Sequence, residues 1–255
     1  MAWNIVRHAF VIVFGNLKEA LKVSVAPFIM LVCIIAVSAF LLGLPIGGEQ
    51  TTLANANFSG SLALLFIIIA VAVMFTFGWI AVTWHRYILL EEYPGVVPSI
   101  SDRPIGTYIA RMLMIVLQMS CVMIPLMFLV LPLIMGGGGS TIAGFVGVVG
   151  LNVMLTFIWL RLSVSLPSVA VGEPMGSVEA WTKTNDVWEM ILGISIIVIV
   201  LNFAATTIVT TLFSGIPVVF GVLSIAVQWV SMMVGISILT TIYGHVIEGR
   251  SLTGT

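Results

Sequence analysis

The fold is decided by a junction that reads Ile158-Trp159-Leu160-Arg161-Leu162-Ser163, then Leu166-Pro167, Gly172-Glu173-Pro174 and Ser177-Val178-Glu179-Ala180-Trp181. One hydrophobic run ends at this junction, an arginine follows it, and an amphipathic segment leads into the next hydrophobic run. A related order of an aromatic residue, one further residue and a base closes two other hydrophobic runs, at Trp84-His85-Arg86 and at Tyr243-Gly244-His245. This repetition predicts a chain built from three similar pairs of helices.

The composition indicates that the chain lies in a membrane. Of its 255 residues, 60% are hydrophobic and only 7% are charged, whereas a soluble domain usually has roughly a quarter of its residues charged. A bilayer is therefore the expected solvent and partner. The formal net charge of -1 leaves no basic surface that would neutralise a row of phosphates, so nucleic acid is not an expected partner.

Six hydrophobic runs each have about the 20 residues that a helix needs to cross a hydrocarbon core roughly 30 Å thick. They predict an all-α integral membrane protein, a single polytopic domain over residues 1–255, with six transmembrane helices arranged as three hairpins. The predicted spans cover residues 23–44, 62–84, 112–135, 140–159, 190–213 and 218–243.

Residues 2–22 precede the first span and predict an amphipathic helix in the headgroup region. Polar residues such as Arg7, His8 and Lys18 recur at nearly helical intervals, while Trp3 and other apolar residues fill the opposite side. This pattern is typical of a helix that lies along the membrane rather than across it.

The basic residues predict the orientation of the chain. All nine Lys and Arg lie before the first span, between the second and third, between the fourth and fifth, or after the sixth. Because basic residues concentrate on the cytoplasmic side of membrane proteins, both termini are expected to be cytoplasmic.

Arg86 and Arg161 are the charges nearest the hydrocarbon, and Trp84 and Trp159 stand two residues before them. Two interpretations remain open. The arginines hold a lipid phosphate or a partner's carboxylate at the cytoplasmic rim, or they snorkel to headgroups beside an aromatic belt. Residues two apart on a helix point some 200° apart, so a belt of tryptophans would turn the arginines towards the bundle.

The segment from Ser177 onward predicts a second helix along the membrane, because its charged and apolar residues separate onto two sides. We expect Trp181 to anchor this helix against the bundle. We further expect Glu173 or Glu179 to pair with Arg161, which removes that charge from the lipid interface.

Several spans contain a polar side chain. Each of these can form a hydrogen bond between two helices, which is the commoner use, or they can together line a transport pathway. The second interpretation predicts one intramembrane polar groove that contains Asn152, Asn202, Gln228 and Thr207.

No group of residues predicts catalysis, a cofactor or a metal. The only histidines are His8, His85 and His245, and none has a second ligand at metal-binding spacing. Serines of the predicted outer loops lie across the membrane from the histidines that would have to activate them.

The residues Trp84-His85-Arg86-Tyr87-Ile88-Leu89-Leu90-Glu91, together with Arg161-Leu162-Ser163, Leu166-Pro167 and Glu179-Ala180-Trp181-Thr182, resemble a known family. It is the six-helix bacterial membrane family that includes the membrane domain of glycerophosphodiester phosphodiesterases and related stand-alone proteins. The resemblance implies a six-helix module in the bacterial inner membrane. The family's hydrolase is a separate soluble barrel, which this chain does not contain.

Two functions remain open from the sequence. The first is a non-catalytic inner-membrane protein that acts as a scaffold or accessory subunit for another membrane protein, or that forms a homo-oligomer. The alternative is a protein that binds or transports a lipid or small amphiphile. The two differ in whether the intramembrane polar residues converge on one cavity.

Overall fold

The computed structural model describes residues 1–41, 60–136 and 141–252. Within these ranges the chain is helical and contains no β-strand. A 3-10 turn spans Asn185–Val187, and a π-helical turn spans Tyr243–Ile247. The α-helices are α1 (Ala2–Gly15), α2 (Leu17–Leu41), α3 (Gly60–Leu90), α4 (Ile105–Gly136), α5 (Thr141–Ser163), α6 (Ser165–Val171), α7 (Ser177–Lys183), α8 (Trp188–Phe213) and α9 (Pro217–Ile242).

Six of these helices, α2, α3, α4, α5, α8 and α9, are long and apolar enough to cross a membrane. The predicted all-α fold with six membrane-length helices is confirmed. The helices extend beyond the predicted spans: α2 begins at Leu17, α3 ends at Leu90, and α4 begins at Ile105. Hydropathy marks only the apolar part of a helix, whereas backbone hydrogen bonding continues into its polar turns. Residues 42–44 and 140, at the ends of two predicted spans, lie outside the described residues.

The single helix predicted over residues 2–22 is instead two helices. Asn16, between α1 and α2, has a φ of -117° and a ψ of 37°, which is not helical. Gly15 lowers helix propensity, and an asparagine side chain competes for backbone hydrogen bonds. Asn16 Nδ2 donates to the Ile12 carbonyl oxygen at 2.9 Å. This local hydrogen bond stabilises the break between the two helices.

The apolar side of α1 packs against α8 and α9. Ile5, Val6, Ala9 and Val13 on that side are buried, whereas Trp3 on the other side is exposed. The amphipathic pattern of α1 therefore reflects its packing against two other helices.

The short helix α6, which the sequence analysis did not predict, lies at the centre of the fold. It is buried from Ser165 to Ala170 and contacts α3, α4, α5 and α9. Pro167 lies in its first turn, where a helix tolerates proline. The helix ends at Gly172, whose φ of 90° is the left-handed conformation that favours glycine. Its two serine hydroxyls donate to backbone carbonyl oxygens, so neither is buried without a hydrogen bond.

Four of the six long helices, α3, α4, α5 and α9, contact α6. Helix α3 contacts α2, α4 and α9 as well as α6, and α5 contacts α4 and α8. Helices α3, α5 and α9 finish at the end of the bundle where Arg86, Arg161 and Arg250 lie. We call this the basic end.

Candidate functional site

Arg161 is buried at the end of α5, with 4% of its surface exposed. Its Nε donates to Thr184 Oγ1 at 3.0 Å, and its Nη2 donates to the Trp181 carbonyl oxygen at 2.6 Å. These acceptors lie at the end of α7, where unpaired carbonyl groups favour a cation. Arg161 therefore caps α7, and a role in headgroup contact stays a prediction.

The predicted ion pair between Arg161 and Glu173 or Glu179 is wrong. Glu179 pairs with Lys183, one turn further along α7, with 2.9 Å between Oε1 and Nζ. The hydrogen bond from Lys183 is the main reason that the pKa of Glu179 lies below its usual value. Within the described part of the chain Arg161 has no ion pair, because uncharged oxygens satisfy its guanidinium group.

Trp181 joins α7 to α5, as predicted. The guanidinium carbon of Arg161 lies 3.9 Å from the centroid of the Trp181 ring, a distance typical of a cation-π contact. The same ring packs edge to face against Phe157 of α5, with 6.3 Å between the ring centroids. A role for Trp181 in headgroup contact stays a prediction.

Arg86 caps the central helix α6. Its Nη1 donates to the Ala170 carbonyl oxygen at 2.9 Å, and its Nη2 lies 2.5 Å from Glu92 Oε1. Glu92 also pairs with Arg103, which precedes α4. The hydrogen bond from Arg86 is the largest effect that holds the pKa of the Glu92 carboxyl below its usual value. Burial opposes it, and Arg103 adds a smaller lowering effect. The cluster links the ends of α3 and α6 to the start of α4.

Arg250 caps α3, just as Arg86 caps α6 and Arg161 caps α7. Its Nη2 donates to the Leu89 carbonyl oxygen at 2.9 Å, one residue before α3 ends. The aromatic-x-base pattern in the sequence indicates His245, and not Arg250, at this end of the chain. Three arginines at the basic end therefore cap three different helices.

Trp84 is fully buried, so its predicted place at a lipid or partner surface is wrong. Its Nε1 donates to Ser237 Oγ of α9 at 2.8 Å. The neighbouring His85 is also buried and links α3 to two helices, through Thr240 Oγ1 at 2.8 Å and the Tyr108 hydroxyl at 3.2 Å. These hydrogen bonds set the rotation of α3 about its axis. Trp159 is partly buried against the core.

The predicted intramembrane polar groove does not form. Asn152 is exposed and donates to the Val148 carbonyl oxygen of its own helix at 2.8 Å. Gln228 and Thr207 are also exposed. Only Asn202 takes part in an interhelical contact, since its Oδ1 accepts a hydrogen bond of 2.7 Å from Ser231. The four side chains therefore do not converge on one site.

A different cavity, which we call the apolar groove, lies between α1, α8 and α9. It has a volume of about 340 Å³, and its walls include Val6 and Phe10 of α1, Ala205 of α8 and Val227 of α9. Asn202 and Ser231 supply the polar atoms at its surface. The groove is therefore an apolar recess with one hydrogen-bonded pair.

A second cavity, which we call the polar cleft, lies at the basic end with a volume of about 590 Å³. Its walls come from α1, the break before α2, the end of α3 and the segment after α9. No local pattern in the sequence predicts this cleft, because four separate segments meet there. Among the described residues, no group of three His, Cys, Asp or Glu is placed to hold a metal ion. The polar residues that line the cleft include His8, Asn16, Tyr87, Glu91, Tyr93, His245 and Arg250.

The two cavities flank α1 on opposite sides. Val6 and Phe10 line the groove, whereas His8 and Ile12 line the cleft. At about 100° per residue these pairs lie roughly half a turn apart, and the buried side of α1 separates them. No protein-family model, curated protein or solved structure matches the chain.

Proposed function

We propose that this protein binds a lipid acyl chain, or the chain of a small amphiphile, in the apolar groove. The observation that carries the proposal is a recess of about 340 Å³ with mainly apolar walls, between α1 and the two membrane-length helices α8 and α9. Apolar walls at membrane depth favour hydrocarbon over water, because water there would lack polar partners. Binding of an amphiphile is the alternative that the sequence left open.

Asn202 and Ser231 provide polar groups that let the groove distinguish one ligand from another. Asn202 Nδ2 donates to the Val198 carbonyl oxygen at 3.0 Å, and its Oδ1 accepts from Ser231. An amide has two N–H donors and an oxygen with two lone pairs, so one donor and one acceptor position remain. An ester or hydroxyl group on a chain fits this pair better than an unsubstituted hydrocarbon.

Photolabelling with a phospholipid that carries a diazirine on its acyl chain tests the proposal. Ala205 lines the groove, whereas its neighbour Ala204 is exposed on the same helix and does not. In nanodiscs, Ala205→Trp should abolish labelling of the groove walls, and the matched control Ala204→Trp should leave it unchanged. Labelling that is spread evenly over all membrane-length helices, or that persists in Ala205→Trp, would contradict the proposal.

The finer topology belongs to the same proposal. We place the six helices as three hairpins in the bacterial inner membrane, with both termini and the basic end on the cytoplasmic side. The positions of the nine Lys and Arg in the sequence support this orientation. The resemblance to the membrane domain of glycerophosphodiester phosphodiesterases supports the location.

A second candidate function is a scaffold or accessory subunit. The observation that favours it is the loop between α3 and α4, where Tyr93, Val96, Val97 and Ile100 are exposed outside the membrane-length helices. A group of exposed apolar side chains is typical of a surface that contacts another protein or a membrane. Val96→Asp with Val97→Asp should remove a partner, or a second copy, that co-purifies in mild detergent. A wild-type protein that purifies alone as a monomer would count against this function.

A further inference from the structure

We propose that the polar cleft binds an organic ammonium group, carried either by a lipid headgroup such as ethanolamine or choline or by a free amine. This site lies on the opposite side of α1 from the apolar groove and does not depend on it. The charges, rings and backbone conformation of the residues that line the cleft support this assignment.

The charge of the cleft favours a cation. Glu91 lines it and has no ion pair or hydrogen bond among the described residues. The only arginine in the described wall, Arg250, is already paired with Glu248, with 2.5 Å between Nε and Oε2, and also donates to the Leu89 carbonyl oxygen. An anion entering the cleft would meet a free carboxylate and an occupied guanidinium group. A cation would meet a free carboxylate.

The two histidines of the cleft offer ring nitrogens to a ligand. Burial, and to a smaller extent the charge of Arg7, lowers the pKa of His8, which favours its uncharged ring. His245 Nδ1 lies 2.8 Å from the Arg250 carbonyl oxygen, which fixes the N–H on Nδ1. His245 Nε2 takes no part in this contact and is left for a ligand.

Two tyrosine rings supply a surface for the organic part of the ligand. Tyr87 and Tyr93 pack edge to face with 5.4 Å between their centroids, and both line the cleft. The Tyr87 hydroxyl donates to Asn16 Oδ1 at 2.7 Å, which fixes this ring, whereas Tyr93 is 77% exposed. Aromatic faces attract alkylammonium groups through their quadrupoles. The combination of a carboxylate and aromatic rings distinguishes such a group from a simple metal cation.

The backbone at Glu91 argues that its side chain has a function. The residue follows the last residue of α3 with a φ of 56°, a left-handed conformation that glycine adopts at lower cost. A carboxylate at the end of a helix also opposes the helix dipole. Both effects disfavour glutamate here, and residues held in such conformations concentrate at ligand sites. Binding of a cation would offset the unfavourable charge of the carboxylate at this end of the helix.

The test measures binding to purified protein in a maltoside detergent by isothermal titration calorimetry. The probes are tetramethylammonium, ethanolamine and dihexanoyl phosphatidylcholine, with inorganic phosphate and sodium chloride as controls. Glu91→Gln and Tyr93→Ala should each weaken binding of the ammonium probes by about tenfold or more, the loss of one charge or ring contact. Glu189→Gln, which changes an exposed carboxylate outside the cleft, should leave binding unchanged.

A further variant separates loss of binding from loss of folding. Glu91→Gly should raise the unfolding temperature, because it relieves the left-handed strain, and should abolish binding of the ammonium probes. Binding of free ethanolamine supports a soluble amine as the source, whereas binding of the phosphatidylcholine alone supports a lipid headgroup. The proposal is overturned if no ammonium probe binds, if phosphate binds instead, or if Glu91→Gln and Tyr93→Ala bind as well as the wild type.

Discussion

At the residue scale, the basic end is built on arginines that satisfy backbone carbonyl groups. Arg86, Arg161 and Arg250 donate to the carbonyl oxygens of Ala170, Trp181 and Leu89, near the ends of α6, α7 and α3. The last carbonyl groups of a helix have no partner within it, and the helix dipole makes that end negative. A guanidinium group has five N–H donors, so one side chain can cap a helix and hold a second acceptor.

Replacement of Arg161 tests this role most directly. Arg161→Ala should lower the free energy of unfolding by roughly 1.5–3 kcal/mol, the usual worth of buried hydrogen bonds to a charged group. Arg161→Lys should restore little of it, because an ammonium group cannot match the flat fork that contacts Thr184 and Trp181. Unfolding in detergent, followed by circular dichroism, measures both variants.

A double variant that also changes Glu179 is the control for Arg161→Ala. Combining Arg161→Ala with Glu179→Ala should give additive losses, since Glu179 contacts Lys183 and not Arg161. A clear departure from additive losses would instead support the ion pair between Arg161 and Glu179 that the sequence predicted.

Glu92 predicts a dependence of stability on pH. Its folded-state pKa is lowered below the usual value of 4.5, mainly by Arg86, so its contribution is present above that value and is lost as the pH falls through the folded pKa. The unfolding temperature of the wild type should therefore fall below about pH 4.5. Glu92→Gln should be less stable than the wild type at pH 7, and the difference should shrink on acidification.

Glu179→Gln is the matched control for this pH effect, because the Glu179–Lys183 pair is exposed to solvent. An exposed ion pair contributes little to stability, so its acid profile should follow that of the wild type. An unchanged difference between wild type and Glu92→Gln from pH 7 to pH 3 would contradict the assignment of the effect to Glu92.

At the element scale, the buried helix α6 depends on how it ends. Gly172 has a φ of 90°, and an added Cβ would meet no atom within 4 Å. Gly172→Ala should therefore destabilise the protein through backbone strain alone, by about 1–2 kcal/mol. Gly106→Ala, in the first turn of α4 and equally free of contacts, should be neutral or slightly stabilising. Equal effects of the two changes on thermal unfolding in detergent would rule out strain as the cause.

The long helices were predictable because length and hydropathy alone identify them. Helix α6 was not, because Ser165–Val171 is too short for a periodic pattern and carries serines that are buried only by virtue of local hydrogen bonds. The sequence also did not predict which side of each helix faces its neighbours. Trp84 looked like an interfacial residue by its position near the end of a span, but its bond to Ser237 rotates it into the core.

At the scale of the whole molecule, the cavities arise from how α1 lies on α8 and α9. Its buried side contacts both helices, and its flanks border the apolar groove and the polar cleft. No local pattern encodes either cavity, because Asn16, Glu91 and His245 come together only through the packing of distant segments. The sequence could therefore identify single polar residues such as Asn202 but not the site to which each belongs.

Orientation is the remaining property of the whole molecule, and the distribution of basic residues predicts it. Asn57 lies outside the described residues, in the segment that joins α2 to α3, and Val178 is 71% exposed on α7. In a background with Cys33 and Cys121 changed to alanine, a membrane-impermeant thiol reagent should label Asn57→Cys in intact cells. It should label Val178→Cys only after permeabilisation, because transferring the loops rich in Arg and Lys across the membrane is disfavoured. The cysteine is placed at Val178 and not at its neighbour Ser177, because Ser177 is buried and accepts a hydrogen bond of 2.9 Å from Gln118. Labelling of Val178→Cys but not Asn57→Cys in intact cells would place the basic end, and with it the polar cleft, on the outer side.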